Sequence, residues 1–500
     1  MRGLSILHPL RAVAVDRRRI AHAMTIAALT GLSAVLAACG RSGNGPLEVA
    51  AMAPMQPSLA AAANTLTTAD RVLLDAVAGP LVRFGDDGQV EPGLADRWTV
   101  IDDGRSYIFR LRRARWSDGR KVVAQDVARA LDQRLRSARA RAAMRGEFAD
   151  VESVRALTDS VVEVRLKRPR SDTLDLLAQG DVAILRNGRG WGPLDARAVR
   201  GGFELRQPAA AGEEAAVAAA APVAILRAAR PRAAVARFVS GDLDAALGGK
   251  FDSWPLVPAA RVGDDSVVID RAPGLFGIAV TSERGALASR EGRQALAMAV
   301  DRPRLVAGFA APGWEGLALL RSPQPGAIDP GRPEWIALEP AARRERARAA
   351  VDDSARAQTL TIALGQSAGE RLLFARLRAD WAAIGVTLER VPLNSAAADL
   401  RLIDDLAPSD DPAWALRRLG CGRGPVCDQA WRDAMMRVDS ADSAEARAAA
   451  ITEAERALLD DARFIPLATP WRWALSNRRA PLVANPRGRH SLTHFLRAPT

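Results

Sequence analysis

Hydrophobic and polar positions recur along this chain with two different periods. Tyr107-Ile108-Phe109-Arg110-Leu111-Arg112 alternates residue by residue, and 160–167 does the same, so each predicts a half-buried strand. Val123, Val127, Leu131 and Leu135 fall four apart and predict a helix with one apolar face over 123–135. The spacing over 70–78 also suits a helix, while 47–60 reads as a mostly apolar opening strand and loop. Gly85-Asp86-Asp87-Gly88 marks a turn. Leu360-Thr361-Ile362-Ala363-Leu364 predicts a strand, followed by a helix over 370–384. The stretch 209–221 is rich in alanine, and its short length and Pro222 exclude a membrane span. Strands and helices alternate irregularly, which fits a mixed α/β protein of more than one lobe.

The first forty residues follow another pattern. Arg2, Arg11 and Arg17-Arg18-Arg19 precede a mostly apolar stretch over 23–38, the layout of a secretory signal peptide covering 1–38. That stretch is shorter than the roughly 18–20 residues that span a bilayer. It ends Leu36-Ala37-Ala38-Cys39-Gly40, which resembles the bacterial lipobox, where the cysteine is acylated and becomes the first mature residue. The resemblance implies lipid attachment at Cys39, with 39–46 as a flexible tether. The protein is then periplasmic and lipid-anchored to the cell envelope membrane.

Without the signal, 65 basic and 57 acidic residues remain, a net charge of +8. The mature length of about 460 residues suffices for two or three lobes. The basic residues are almost all arginine, Lys121, Lys167 and Lys250 being the lysines, and acidic residues are interspersed with them. This reads as a solvated surface and not as a binding stripe. No aromatic-rich basic motif of the RNA-binding kind is present, so nucleic acid is not an expected partner. After residue 38 the histidines are His490 and His494, without a Cys/His cluster, so neither a metal nor a cofactor is expected. Cys421 and Cys427 read as a disulfide in an oxidising compartment, and Gly422, Gly424 and Pro425 between them allow the turn.

More specific are several consecutive motifs. Gly79-Pro80-Leu81-Val82-Arg83-Phe84 is followed by Gly88-Gln89-Val90-Glu91-Pro92-Gly93-Leu94-Ala95-Asp96-Arg97-Trp98. Then come 102–112, Trp116-Ser117-Asp118-Gly119 and Ala124-Gln125-Asp126-Val127. In order and spacing these resemble the diagnostic stretch of the family 5 extracellular solute-binding proteins, the peptide/nickel class serving ABC importers. Weaker similarities continue at 190–194, 238–244, 292–302 and 463–467. Most of these residues read as scaffold: Trp98 and Trp116 as apolar anchors, Ser117-Asp118-Gly119 as turn chemistry.

The resemblance implies an α/β, two-lobed periplasmic binding protein fold of type II or cluster C-like form, with an extra subdomain in the first lobe. Lobe I would comprise 47–72, 189–275 and 466–500, the subdomain 73–188, and lobe II 276–465. It also implies capture of a peptide or peptide-like solute by hinge closure, then delivery to an ABC permease and its ATPase. Trp414 is the candidate aromatic wall of the pocket, with Asp410 and Asp411 beside it and Trp191 as a second candidate.

Three departures from the family pattern bear on the cargo, one being that the region after the loop at 190–194 is shortened and replaced by the alanine-rich stretch 209–221. Where many relatives carry Glu-Pro-x-x-Leu-Asp-Pro, this chain has Met55-Gln56-Pro57-Ser58-Leu59-Ala60-Ala61, without the acids. Where peptide-binding members carry an aspartate that meets the peptide's ammonium, it has Pro408 in Ala407-Pro408-Ser409-Asp410-Asp411-Pro412. A shift to Asp410 or Asp411 moves the carboxylate by roughly 6–10 Å along an extended chain. Simple free peptides are therefore expected to bind weakly, and blocked, modified or non-peptide solutes better.

Two other readings remain at this stage. Gly365-Gln366-Ser367-Ala368-Gly369 is a literal G-x-S-x-G between a predicted strand and helix, with Asp399, Asp404 and His490 following in the order a serine hydrolase needs. The chain before it lacks the long parallel sheet of an α/β-hydrolase, so no enzyme activity is expected. A ligand-binding envelope lipoprotein with a sensing or scaffold role is the other.

Overall fold

The computed structural model describes residues 45–59, 66–137, 147–208, 222–351, 359–421 and 424–493. The signal segment, Cys39, the alanine-rich 209–221 and His494 lie outside these residues.

From Val49 onward, strand Leu47–Met52 is apolar on both faces because both are covered. Val49 and Ala51 pack with helix Thr68–Val77, and Ala50 and Met52 with helix Pro231–Val239. It is the centre of a seven-stranded sheet in the order Val267–Asp270, Arg472–Ser476, Ala245–Lys250, Leu47–Met52, Pro222–Ala229, Gly202–Arg206, Asp195–Val199. The strand pairs with both neighbours in parallel, and the outer pairings are antiparallel. This sheet is lobe I.

Lobe II holds a five-stranded sheet, in the order Thr387–Val391, Thr359–Ala363, Leu400–Leu406, Gly274–Val280, Phe464–Ala468. Thr359–Ala363 pairs in parallel with both Leu400–Leu406 and Thr387–Val391, and helix Ala368–Ala382 joins it to the latter, as a parallel crossover requires. A separate four-stranded antiparallel sheet spans Ala95–Ile101, Ser106–Leu111, Val161–Leu166 and Val151–Thr158. Helix Ala124–Arg136 lies on it through Val127, Leu131 and Leu135, the residues whose four-residue spacing predicted that helix. Trp116 is fully buried in this subdomain, whereas Trp98 is only half-buried at its margin.

The chain passes between lobes at 271–273 and again at 469–471. Around these links aromatic rings pack into one cluster that belongs to both lobes. Trp471 lies 5.5 Å from Trp254 and 5.5 Å from Trp314, and Trp314 lies 5.5 Å from Phe276. The indole N–H groups of Trp314 and Trp254 donate to Thr469 O at 2.8 Å and Phe309 O at 3.1 Å. Apolar surface of this extent resists exposure to water, so this cluster, the candidate pivot, holds the two lobes together.

Candidate functional site

Beside this aromatic cluster the lobes face each other over a cavity of about 390 Å³. Lobe I supplies Arg71, Val72 and Asp75 from one face of helix Thr68–Val77, and Trp473 from strand Arg472–Ser476. The helix start is fixed by a capping box, Thr67 Oγ1 accepting from Asp70 N and Asp70 accepting from Thr67 N. Gly248, at φ +84°, lets the neighbouring strand run close under that helix; a Cβ there would stand 2.4 Å from Thr68 Cγ2. Lobe II supplies Asp404, Asp405, Leu406, Pro408 and Trp414, and the subdomain side supplies Phe84. The C-terminal segment contributes Asn485, Arg489 and His490. It is held there by Asn485 and Arg487, which donate to Gly85 O and Gly88 O.

Most charges around the cavity are already paired. Arg71 Nε meets Asp181 at 3.2 Å, Arg472 meets Asp404 at 2.8 Å, Arg418 meets Asp405 at 2.6 Å, and His490 Nε2 meets Asp270 at 2.9 Å. Arg489 is different: its guanidinium makes no hydrogen bond or ion pair among the described residues. Burial pushes its pKa down to about 10; Asp181 and Asp75 oppose that fall, while Arg71 and Arg487 add to it. Asp75 likewise has no hydrogen-bond partner among these residues, and Lys250 is exposed at the margin.

A polar clasp joins lobe II to the subdomain. Ser409 Oγ donates to Asp172 at 2.9 Å, and Asp410 N to Asp175 Oδ2 at 3.1 Å. Arg417 Nη1 donates to Asp411 at 2.7 Å, and its Nε reaches Glu147 at 3.2 Å. Arg487 grips the Asp410 carboxylate with both terminal nitrogens at 2.7 Å and lies over the Phe84 ring at 4.6 Å. Burial would raise the Asp411 carboxyl, but Arg417 and Arg447 beside it hold it below the usual range.

Of the residues singled out from sequence, Trp414 lines the cavity, and its indole N–H makes no hydrogen bond among the described residues. Pro408 also lines it and presents its carbonyl to Gln179. Asp410 and Asp411 are not lining residues, because Arg487, Arg417 and Arg447 draw both carboxylates into the clasp. Trp191 lies away from the cavity; its indole N–H donates to Gly79 O at 3.3 Å and its ring packs on the subdomain core. Met55 is exposed, and Ala60 and Ala61 lie outside the described residues. Cys421 and Cys427 are disulfide-bonded, with Cα atoms 4.5 Å apart.

Ser367 is the N-cap of helix Ala368–Ala382, at φ −61° and ψ 164°, and its Oγ accepts from Glu370 N at 3.2 Å. This is relaxed capping chemistry and not a strained elbow. Asp399 is bound instead to Arg284, Ser282 and Thr361, and His490 to Asp270. Among the described residues no group of three or more His, Cys, Asp or Glu is placed to hold a metal ion. No helix there is long and apolar enough to cross a membrane.

Residues 89–205 match the family model described as Bacterial extracellular solute-binding proteins, family 5 Middle. An Escherichia coli protein named as a probable deoxycholate-binding periplasmic protein, YgiS, is 33% identical over a stretch covering 28% of this chain. The match spans 30% of that relative's length. Among solved structures, Haemophilus influenzae OppA in complex with a peptide is 16% identical, covering 89% of this chain and 98% of that one, with a TM-score of 0.72. Escherichia coli MppA, a murein tripeptide binding protein, is 18% identical with coverages of 89% and 97% and a TM-score of 0.72. Brucella suis NikA in complex with Fe(III)-EDTA is 18% identical with coverages of 87% and 96% and a TM-score of 0.67. These structures have the fold described above. The family model matched is one of solute-binding proteins.

Proposed function

We infer, from the premise that this chain belongs to the bacterial extracellular solute-binding proteins of family 5, that it is the extracytoplasmic solute-binding component of an ABC importer. It captures a small solute between its lobes and presents the closed form to a membrane permease, held at the envelope by a lipid on Cys39. The observation that carries this reading is a cavity walled by both lobes, which an apolar pivot and a polar clasp hold together. Such a cavity closes productively only around a ligand that touches both walls. Its size lies within the range of about 300–1,000 Å³ usual for small-molecule sites.

The cargo is an apolar-bodied solute, a blocked or modified peptide or a non-peptide, whose recognition does not use a free N-terminal ammonium. Pro408 offers no charge on the wall, and the carboxylates of Asp410 and Asp411 are committed to arginines. The relative named for deoxycholate, an apolar body bearing one carboxylate, supports the same direction. Calorimetry with an apolar tripeptide in free and N-acetylated forms tests this. Affinity should survive acetylation within about threefold, less than the tenfold that a lost interaction of 1.4 kcal/mol produces. Tight binding of the free form that acetylation abolishes would show that the cavity does use the ammonium.

A further inference from the structure

We propose that Arg489 is the anion-recognising group of this cavity, and that the captured solute carries one compact oxyanion, such as a carboxylate, on its apolar body. The inference rests on the solute-capture reading and specifies what is captured.

The distribution of partners carries it. Arg71 and Arg472 each have a counter-charge, as do Asp181, Asp404 and Asp405, and His490 is hydrogen-bonded to Asp270. Among the described residues, Arg489, Lys250 and Asp75 around the cavity make no direct ion pair. Asp75 and Asp181 act on Arg489 electrostatically, but neither meets its guanidinium directly, so its donors face the cavity without a partner among the described residues. A monoanion would pair with that guanidinium; a cationic solute would meet Arg489 and Lys250. Arg487, two residues away, cannot substitute, because its guanidinium is bound to Asp410 and Gly88 O.

Position adds to this. Arg489 is half-buried on the C-terminal segment that Asn485 and Arg487 tie to the subdomain turn. It shares the cavity with Trp414, Trp473, Phe84 and Val72, surfaces that suit an apolar body. A guanidinium presents several donors in a planar fork that matches a carboxylate. Burial weakens its hold on its proton, the mark of a cation short of counter-charge.

Two matched pairs of probes test the assignment on the full-length mature protein. One is deoxycholate and its uncharged carboxamide; the other is an N-acetylated apolar tripeptide and the same peptide amidated at its C-terminus. In the unmodified protein each acid should bind about 10- to 100-fold more tightly than its amide, as expected for a charge-assisted hydrogen bond. In Arg489→Met that ratio should fall to near one, and Arg489→Lys should restore part of it. Without solute, Arg489→Met should keep or raise the thermal midpoint, since it removes an uncompensated cation. Equal binding of acid and amide, selectivity that survives Arg489→Met, or a midpoint several degrees lower would overturn the assignment. No binding of any of the four probes would overturn the solute-capture reading itself.

Discussion

Replacing Arg417 by alanine should lower the unfolding free energy by about 3 kcal/mol, the lower end of the cost of breaking a buried ion pair from one side. Arg417 joins Glu147 of the subdomain to Asp411 of lobe II, and both carboxylates are nearly inaccessible. The loss is not larger because Arg170 stays on Glu147 and Arg447 on Asp411. Arg417→Lys keeps the charge but not the fork, and should recover only part of the stability. Chemical denaturation of the three proteins measures this directly.

The same clasp sets an acid limit. The folded Asp411 carboxyl lies below its unfolded value, so the native state binds fewer protons between the two values. Its stabilisation is complete above the unfolded value of about 3.9 and is lost as pH falls through the lower folded one. Arg417→Ala should therefore be less sensitive to acid in that window than the unmodified protein.

Trp473→Ala should cost about 3–5 kcal/mol, the range for deleting a buried aromatic side chain. The ring is 1% exposed, lies 6.0 Å from Trp254, and donates its N–H to Lys250 O at 2.9 Å. It packs so closely on Gly249 that a Cβ there would stand 2.2 Å from the ring. Trp473 belongs both to the pivot and to the cavity wall, so stability and solute affinity should fall together. Trp473→Phe keeps an apolar wall and should retain most of the affinity while losing the hydrogen bond. Thermal unfolding and calorimetry on the same samples separate the two effects.

Local elements were legible in the sequence wherever one face is buried and the other wet. Ser106–Leu111 and Ala124–Arg136 are such cases, and the regular spacing of Phe109, Val127 and Leu131 follows from their packing in one core. The family motifs marked the subdomain because they are its turns and anchors. The cavity was not legible, because Phe84, Asp75, Trp473 and Arg489 converge only through the two lobe crossings and the returning C-terminal segment. No spacing connects residues so far apart. The proximity of Asp410 and Asp411 to Trp414 was visible, but not that arginines would occupy both carboxylates. For the same reason the arginine excess is only partly a solvated surface. Arg293, Arg418, Arg472 and Arg487 are buried, each against a carboxylate. The G-x-S-x-G at 365–369 shows the converse, a pattern satisfied in letters whose serine is a helix cap.

Capture by closure is tested most directly by small-angle X-ray scattering of the mature protein with and without saturating deoxycholate or acetylated tripeptide, at concentrations where calorimetry shows binding. Closure about the aromatic pivot predicts a smaller radius of gyration with solute, and a weaker contraction in Arg417→Ala, whose clasp is incomplete. Measurable heat of binding with an unchanged scattering profile in both proteins would contradict it.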